Sequence, residues 1–305
     1  MVLELYQIIL LLIVGAFVGI GMSFVGQTGQ GVVMPIILLL TGNVFLAIAI
    51  NLLNDLITAG TVSITYIRAK EFKLRKDTLL LVIIALIIAF GGVLILFSTA
   101  LRNIYGWFIP LFVTILGIIF LIRGFPTADN LKKIIKNLSL KALRKEPNID
   151  PAEISETIES KFDSKDQIRG IIPTNSKVYY YLSLIFGAFM GINSGLFGGS
   201  SGMIIVIALI LIYGYPLKKG VGTALILSVL TSGFTFIIYQ ILGISILARA
   251  FFNLEISLFL AIGSITSGIL SSLFIQNLSA KVMGRSMGAV IASLGVISLV
   301  FYIMF

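Results

Sequence analysis

Leu79-Leu-Leu-Val-Ile-Ile-Ala-Leu-Ile-Ile-Ala-Phe-Gly-Gly-Val-Leu-Ile-Leu-Phe97 contains no charged side chain and no polar one. Its length is close to the roughly 20 apolar residues that a helix needs to cross about 30 Å of hydrocarbon. Residues 104–122 and 287–305 are likewise uncharged and mostly apolar, and the whole chain of 305 residues is 58% hydrophobic and 11% charged, with mean hydropathy +1.10. Soluble domains carry about 25% charged residues, so a water-facing surface cannot be made from this composition. A membrane β-barrel would instead alternate apolar and polar residues in segments of about ten, and no such alternation occurs. The sequence predicts an all-α polytopic membrane protein.

Working outward, apolar runs between charges and Gly/Pro punctuation place spans near residues 5–24, 31–40, 44–67, 79–97 and 104–122. A second set falls near 178–196, 203–213, 222–247, 254–275 and 287–305. The first run follows Met-Val-Leu-Glu-Leu, which lacks the basic residues of a signal peptide, and is read as a span. In each set the second run is too short to cross comfortably and suits a re-entrant or broken helix. Gly15-Ala-Phe-Val-Gly19-Ile matches Gly187-Ala-Phe-Met-Gly191-Ile at an offset of 172 residues, and the same offset pairs Gly26 with Gly198 and Gly42 with Gly214. A repeat of five segments enters the membrane from opposite sides in its two copies. The expectation is therefore two inverted repeats, residues 1–122 and 178–305, joined by a cytoplasmic linker at 123–177.

Charge patterning gives an orientation. With the amino terminus outside, 20 of the 22 basic residues fall in cytoplasmic loops, leaving only Arg102 and Arg249 outside. Both termini are then outside, and the net charge of +9 reflects topology rather than nucleic-acid binding. Residues 131–145 place apolar side chains at helical spacing opposite a basic face, as a helix lying on the inner leaflet would. Asp150-Pro151-Ala-Glu153 reads as the start of a further helix. The linker is a membrane-lying connector or a regulatory element.

The absence of Cys and His removes disulfides, thiol nucleophiles, His triads and the commonest metal ligands. An intramembrane aspartyl enzyme needs two convergent carboxylates, and Asp55 is the one acidic residue deep within an expected span. Neither a catalytic centre, a metal site nor a cofactor is expected.

Transporters with inverted repeats bind substrate where discontinuous helices meet near the midplane. Two Gly-rich breaks, Gly26-Gln27-Thr28-Gly29-Gln30-Gly31 and Gly195-Leu-Phe-Gly198-Gly199-Ser200-Ser201-Gly202, lie in the same repeat register. A helix restarting there exposes N–H groups and a partial positive charge, which attract an anion without Lys or Arg. The GxxxG pairs Gly15/Gly19 and Gly187/Gly191 are read as helix-packing surfaces. The candidate substrate site comprises Gln27, Thr28, Gly29, Gln30, Gly31, Asn51, Asn54, Gly199, Ser200, Ser201, Gly202 and Thr223, with Asn51 and Thr223 equivalent at the same offset. Thr58, Thr61, Ser228, Thr231 and Ser232 add hydroxyls, which can alternatively bond back to their own helices. Asp55 is the proton-coupling candidate; a cation ligand and a purely structural acid are the other readings of an intramembrane carboxylate.

These residues resemble the TauE/SafE family of sulfite exporters and related permeases. The resemblance rests on residues 15–42, the run from Gly195 to Gly202, and Gly214-Tyr-Pro216-Leu-Lys-Lys219-Gly-Val-Gly222-Thr223-Ala-Leu225, and it covers nearly all the chain outside the linker. The chain departs from the family pattern at Gln27, Thr28 and Gln30, where glycines are denser in relatives, at Ile207, where Pro is frequent, and at Ala224, where Ser is. The resemblance implies a secondary transporter of small anions such as sulfite or organosulfonates in the cytoplasmic membrane. Its expected partners are that substrate, coupled protons and membrane lipids, and the architecture is compatible with a homo-oligomer. A passive anion channel of the same architecture is the alternative.

Overall fold

The computed structural model describes residues 3–26, 29–74, 76–98, 177–248 and 250–278, with isolated positions between 282 and 300. The expected spans at 104–122 and most of 287–305, the linker, Gln27 and Thr28 lie outside the described residues. Among the described residues eight helices form and no strand: α1 Leu5–Val25, α2 Gln30–Thr41, α3 Val44–Arg68, α4 Lys76–Ser98, α5 Lys177–Phe197, α6 Gly202–Leu211, α7 Leu217–Leu247 and α8 Leu254–Gln276. Six of them, all but α2 and α6, are long and apolar enough to cross a membrane. With 12 and 10 residues, α2 and α6 reach only about 15–18 Å at 1.5 Å per residue, half the hydrocarbon thickness. The chain is an all-helical, multi-pass membrane protein.

Glycine sets the breaks. Gly26 after α1 and Gly198 after α5 both sit at φ +66°, and Gly42 and Gly214, which follow α2 and α6, at +63° and +68°. In this left-handed region a Cβ is disfavoured, and the turn lets an N–H close on the last carbonyls of the helix. Gly26 donates to the Met22 carbonyl at 2.8 Å and Gly42 to Leu38 at 2.7 Å. Asn43 and Asn253 then start α3 and α8, their side-chain oxygens accepting from the Leu46 and Ile256 amides. One boundary differs from expectation. Helix α7 begins at Leu217 rather than Gly222, because Pro216 at φ −59° sets the entry and Lys218 and Lys219 occupy the first turn instead of a loop.

Small residues set the packing. A side chain on Gly15 or Gly19 would strike the Leu260 or Ser264 carbonyl of α8, and one on Gly263 would strike Leu12 of α1. On the other side Gly187, Gly191 and Gly195 of α5 press on the carbonyls of Leu81, Ala85 and Ala89 of α4. Contacts advance together in number along both seams, so α1 runs parallel to α8 and α4 parallel to α5. These close approaches replace the hydrophobic drive that lipid removes. Helix α3 runs parallel to α8, with Thr58 bonded to Ser264 and Thr65 to Ser272. It runs antiparallel to α7, since Leu56 meets Gly233 and Tyr66 meets Gly222. Phe97 near the end of α4 packs its ring, tilted, against Phe45 near the start of α3 with centroids 4.8 Å apart, so those two are antiparallel as well. Apolar side chains such as Ile83, Ile87, Leu270 and Phe274 cover the outer faces, where lipid is the solvent.

Candidate functional site

On α3, Asn51, Asn54, Asp55 and Thr58 recur at helical spacing and are all buried. Such a polar stripe inside a membrane protein needs partners, and both breaks supply them. The Asp55 carboxylate accepts from the Gly29 amide through Oδ1 and from the Ser200 amide through Oδ2, each at 3.1 Å. Gly29 is the N-cap of α2 and makes no side-chain cap bond. Ser200 lies one residue before Ser201, the N-cap of α6. One carboxylate therefore holds the starts of both short helices. Asp55 is the twelfth of the 25 residues of α3, which puts the junction near the middle of that span.

The breaks also touch each other. The Gly26 carbonyl stands where a side chain on Gly202 would be, and the Gln30 Oε1 stands where one on Gly199 would be. Asn51 crosses from α3 to donate its amide to the Gly198 carbonyl at 2.6 Å. Thr231 of α7 donates to the Ser200 carbonyl at 3.0 Å. Asn54 Oδ1 accepts from Ser264, which also pairs with Thr58. Four polar atoms around this junction are buried without a hydrogen-bond partner: Asn51 Oδ1, Asn54 Nδ2, Ser200 Oγ and Ser228 Oγ. Buried polar atoms normally find a partner, so these four leave hydrogen-bonding capacity at the junction unused.

Electrostatically the junction is unusual. Helices α1, α2, α6 and α8 contain no Lys or Arg, and those of α3, α4, α5 and α7 are confined to their ends. The positive field comes from the backbone. Each helix start carries the equivalent of roughly half a unit charge, so two together offset about one negative charge, and Asp55 supplies it.

Of the expected site residues, the structure brings together Gly29, Gln30, Asn51, Asn54, Asp55, Gly199, Ser200 and Gly202, with Gly31 in the first turn of α2. Ser201 stands at φ 60° with its hydroxyl engaged by the protein, donating to the Met190 carbonyl at 2.8 Å and accepting from Asn193. Thr223 lies elsewhere. It exchanges hydrogen bonds with the Lys73 backbone, at 3.3 Å to the amide and 3.2 Å to the carbonyl, and so ties α7 to the α3–α4 loop. Gln27 and Thr28 fall outside the described residues. Asn193 and Ser264 support the junction and were not expected there. Their only sequence signal is a polar side chain within an apolar helix.

A family model described as Sulfite exporter TauE/SafE matches residues 11–298, nearly the whole chain. No curated protein and no solved structure gives a significant match.

Proposed function

Since the chain belongs to the sulfite exporter TauE/SafE family, we propose that it is a secondary transporter for small anions, sulfite or organosulfur anions first, bound where the two helix breaks meet. The observation that carries this reading is the Asp55 carboxylate held between the Gly29 and Ser200 amides. A junction that seats one oxyanion between two helix starts has the geometry and the field to seat another. The substrate groups are then the amides of Gly29, Gly31, Gly199, Ser200 and Gly202, with Gln30, Asn51 and Asn54 around them and Gln27 and Thr28 as candidates from the sequence alone. Ser201 and Thr223 act as supports.

The mechanism is alternating access by two inverted repeats, residues 1–122 and 178–305, with 123–177 as the cytoplasmic linker and both termini outside. Three features support it. Helices α1 and α5 coincide at the same 172-residue offset, as do the positive-φ glycines 26 and 198, and 42 and 214. Equivalent helices run in opposite directions. Each half also lends its first helix to the other half's fourth, α1 to α8 and α5 to α4. Rocking of one half against the other would expose the central junction to each side in turn.

Reconstitution tests the reading. Proteoliposomes offered sulfite, thiosulfate, sulfate and sulfonates should show saturable exchange with a clear preference among them. Unitary currents far above transporter turnover would identify a channel, and no protein-dependent flux for any of these anions would refute the proposal.

A further inference from the structure

The carboxylate between the breaks bears on how an anion gains entry, and the inference drawn from it rests on the anion-transport reading above. Both Asp55 oxygens face N–H donors at helix starts, a polarity that favours a negative occupant and opposes a cation. These amides are also the groups an incoming anion needs. Two negative charges within hydrogen-bond reach of the same donors, deep in low dielectric, repel strongly. The two helix starts together compensate only about one of them.

We propose that Asp55 is a tethered occupant of the anion site, and that a substrate anion takes its place only when Asp55 has bound a proton. In the empty carrier ionised Asp55 holds α2 and α6 together. A proton arriving from the side of entry forms the neutral carboxylic acid, the Gly29 and Ser200 amides turn to the substrate, and the proton leaves with the anion on the far side. For a monoanion the cycle moves one negative and one positive charge together and is electroneutral. The flux follows the combined anion and proton gradients, so export against an inward proton gradient requires an anion gradient that exceeds it.

Nothing else described at this depth titrates. Helix α2 and the α5–α6 break carry no ionisable side chain. The ionisable groups of the remaining elements packed against α3 are Glu4 and Tyr6 at the start of α1, Lys218 and Lys219 at the start of α7, Tyr239 about three quarters of the way along α7, and Glu255 at the start of α8. On α3 itself they are Tyr66 and Arg68, followed by Glu71. Tyr239 donates to the Gly195 carbonyl and Tyr66 to the Ser23 carbonyl. Asn51 Oδ1, Asn54 Nδ2, Ser200 Oγ and Ser228 Oγ, without partners beside the carboxylate, are the further neutral groups an arriving oxyanion and a protonated acid would use.

The test uses sulfite as probe on the full-length protein in detergent. Binding is followed by calorimetry in buffers of different ionisation enthalpy, so that proton uptake is counted. The wild type should take up about one proton more per sulfite than Asp55→Asn. Above the ionisation of Asp55 its affinity should weaken about tenfold per pH unit relative to that of the variant, because only the protonated fraction is competent, the titration of sulfite itself being common to both proteins. Equal proton uptake by the two proteins overturns the proposal. If Asp55→Asn does not fold, sulfonate accumulation by wild-type proteoliposomes decides. Accumulation driven by a pH gradient and indifferent to an imposed potential supports the tethered occupant, whereas potential-driven movement without protons overturns it. Wild-type protein that neither binds nor exchanges sulfite or a sulfonate refutes the underlying anion reading itself, a result distinct from binding without proton uptake.

Discussion

Gly202 at the start of α6 has the Gly26 carbonyl, from the end of α1, in the position its own side chain would occupy. The two breaks therefore meet backbone to backbone, and their closeness depends on a missing methyl group.

Gly202→Ala should force them apart. Overpacking of this kind costs about 1–3 kcal/mol, and here the strain falls on the junction that holds the carboxylate. A lower thermal midpoint in detergent together with lost sulfite exchange is expected. Gly91→Ala is the control, since among the described residues nothing lies within 4 Å of the added methyl, and it should be close to neutral in both assays.

The α4–α5 seam makes a different prediction. Gly191→Leu would drive a side chain into the Ala85 carbonyl and Ile88, separating two helices whose association rests on close approach. The yield of folded protein should fall several-fold, measured by size-exclusion profile. The KM of the fraction that survives should stay near the wild-type value, because the seam lies outside the proposed site.

Gln30 and Thr223 separate binding from support. Gln30→Leu removes the amide packed over Gly199 and should raise the KM for sulfite exchange about tenfold or more. Thr223→Val removes the link to Lys73 and should cost about 1 kcal/mol of stability with the KM unchanged. Initial-rate curves for the two variants, beside their thermal midpoints, check both statements.

The helices were legible because lipid imposes a simple rule: long apolar runs cross, and glycines with neutral polar neighbours interrupt. Gly26 and Gly198 end helices as expected, and α2 and α6 are short as their runs imply. The start of α7 was misplaced because a Lys pair reads as a loop, although two long side chains can leave a first helical turn for the aqueous edge. The repeat offset was informative about backbone and misleading about side chains. It makes Asn51 and Thr223 equivalent, yet Asn51 reaches the opposite break while Thr223 reaches a loop. The bonds from Gly29 and Ser200 to Asp55 join residues distant in sequence, and no local pattern encodes them. What the sequence did carry was the polar stripe through Asn51, Asn54, Asp55 and Thr58, which marks the face of α3 that has to find company.

In the proposed mechanism an anion sits between the two helix starts. Selenite, a heavier analogue of sulfite, can be located by its anomalous scattering in crystals of the full-length protein grown with it at acidic pH. The account predicts a selenium peak within about 4 Å of both the Gly29 and Ser200 amide nitrogens, the distance set by oxygens accepting from those groups. A peak confined to the basic helix ends, at Lys218 and Lys219 for example, with Asp55 still seated between the two amides, would contradict it.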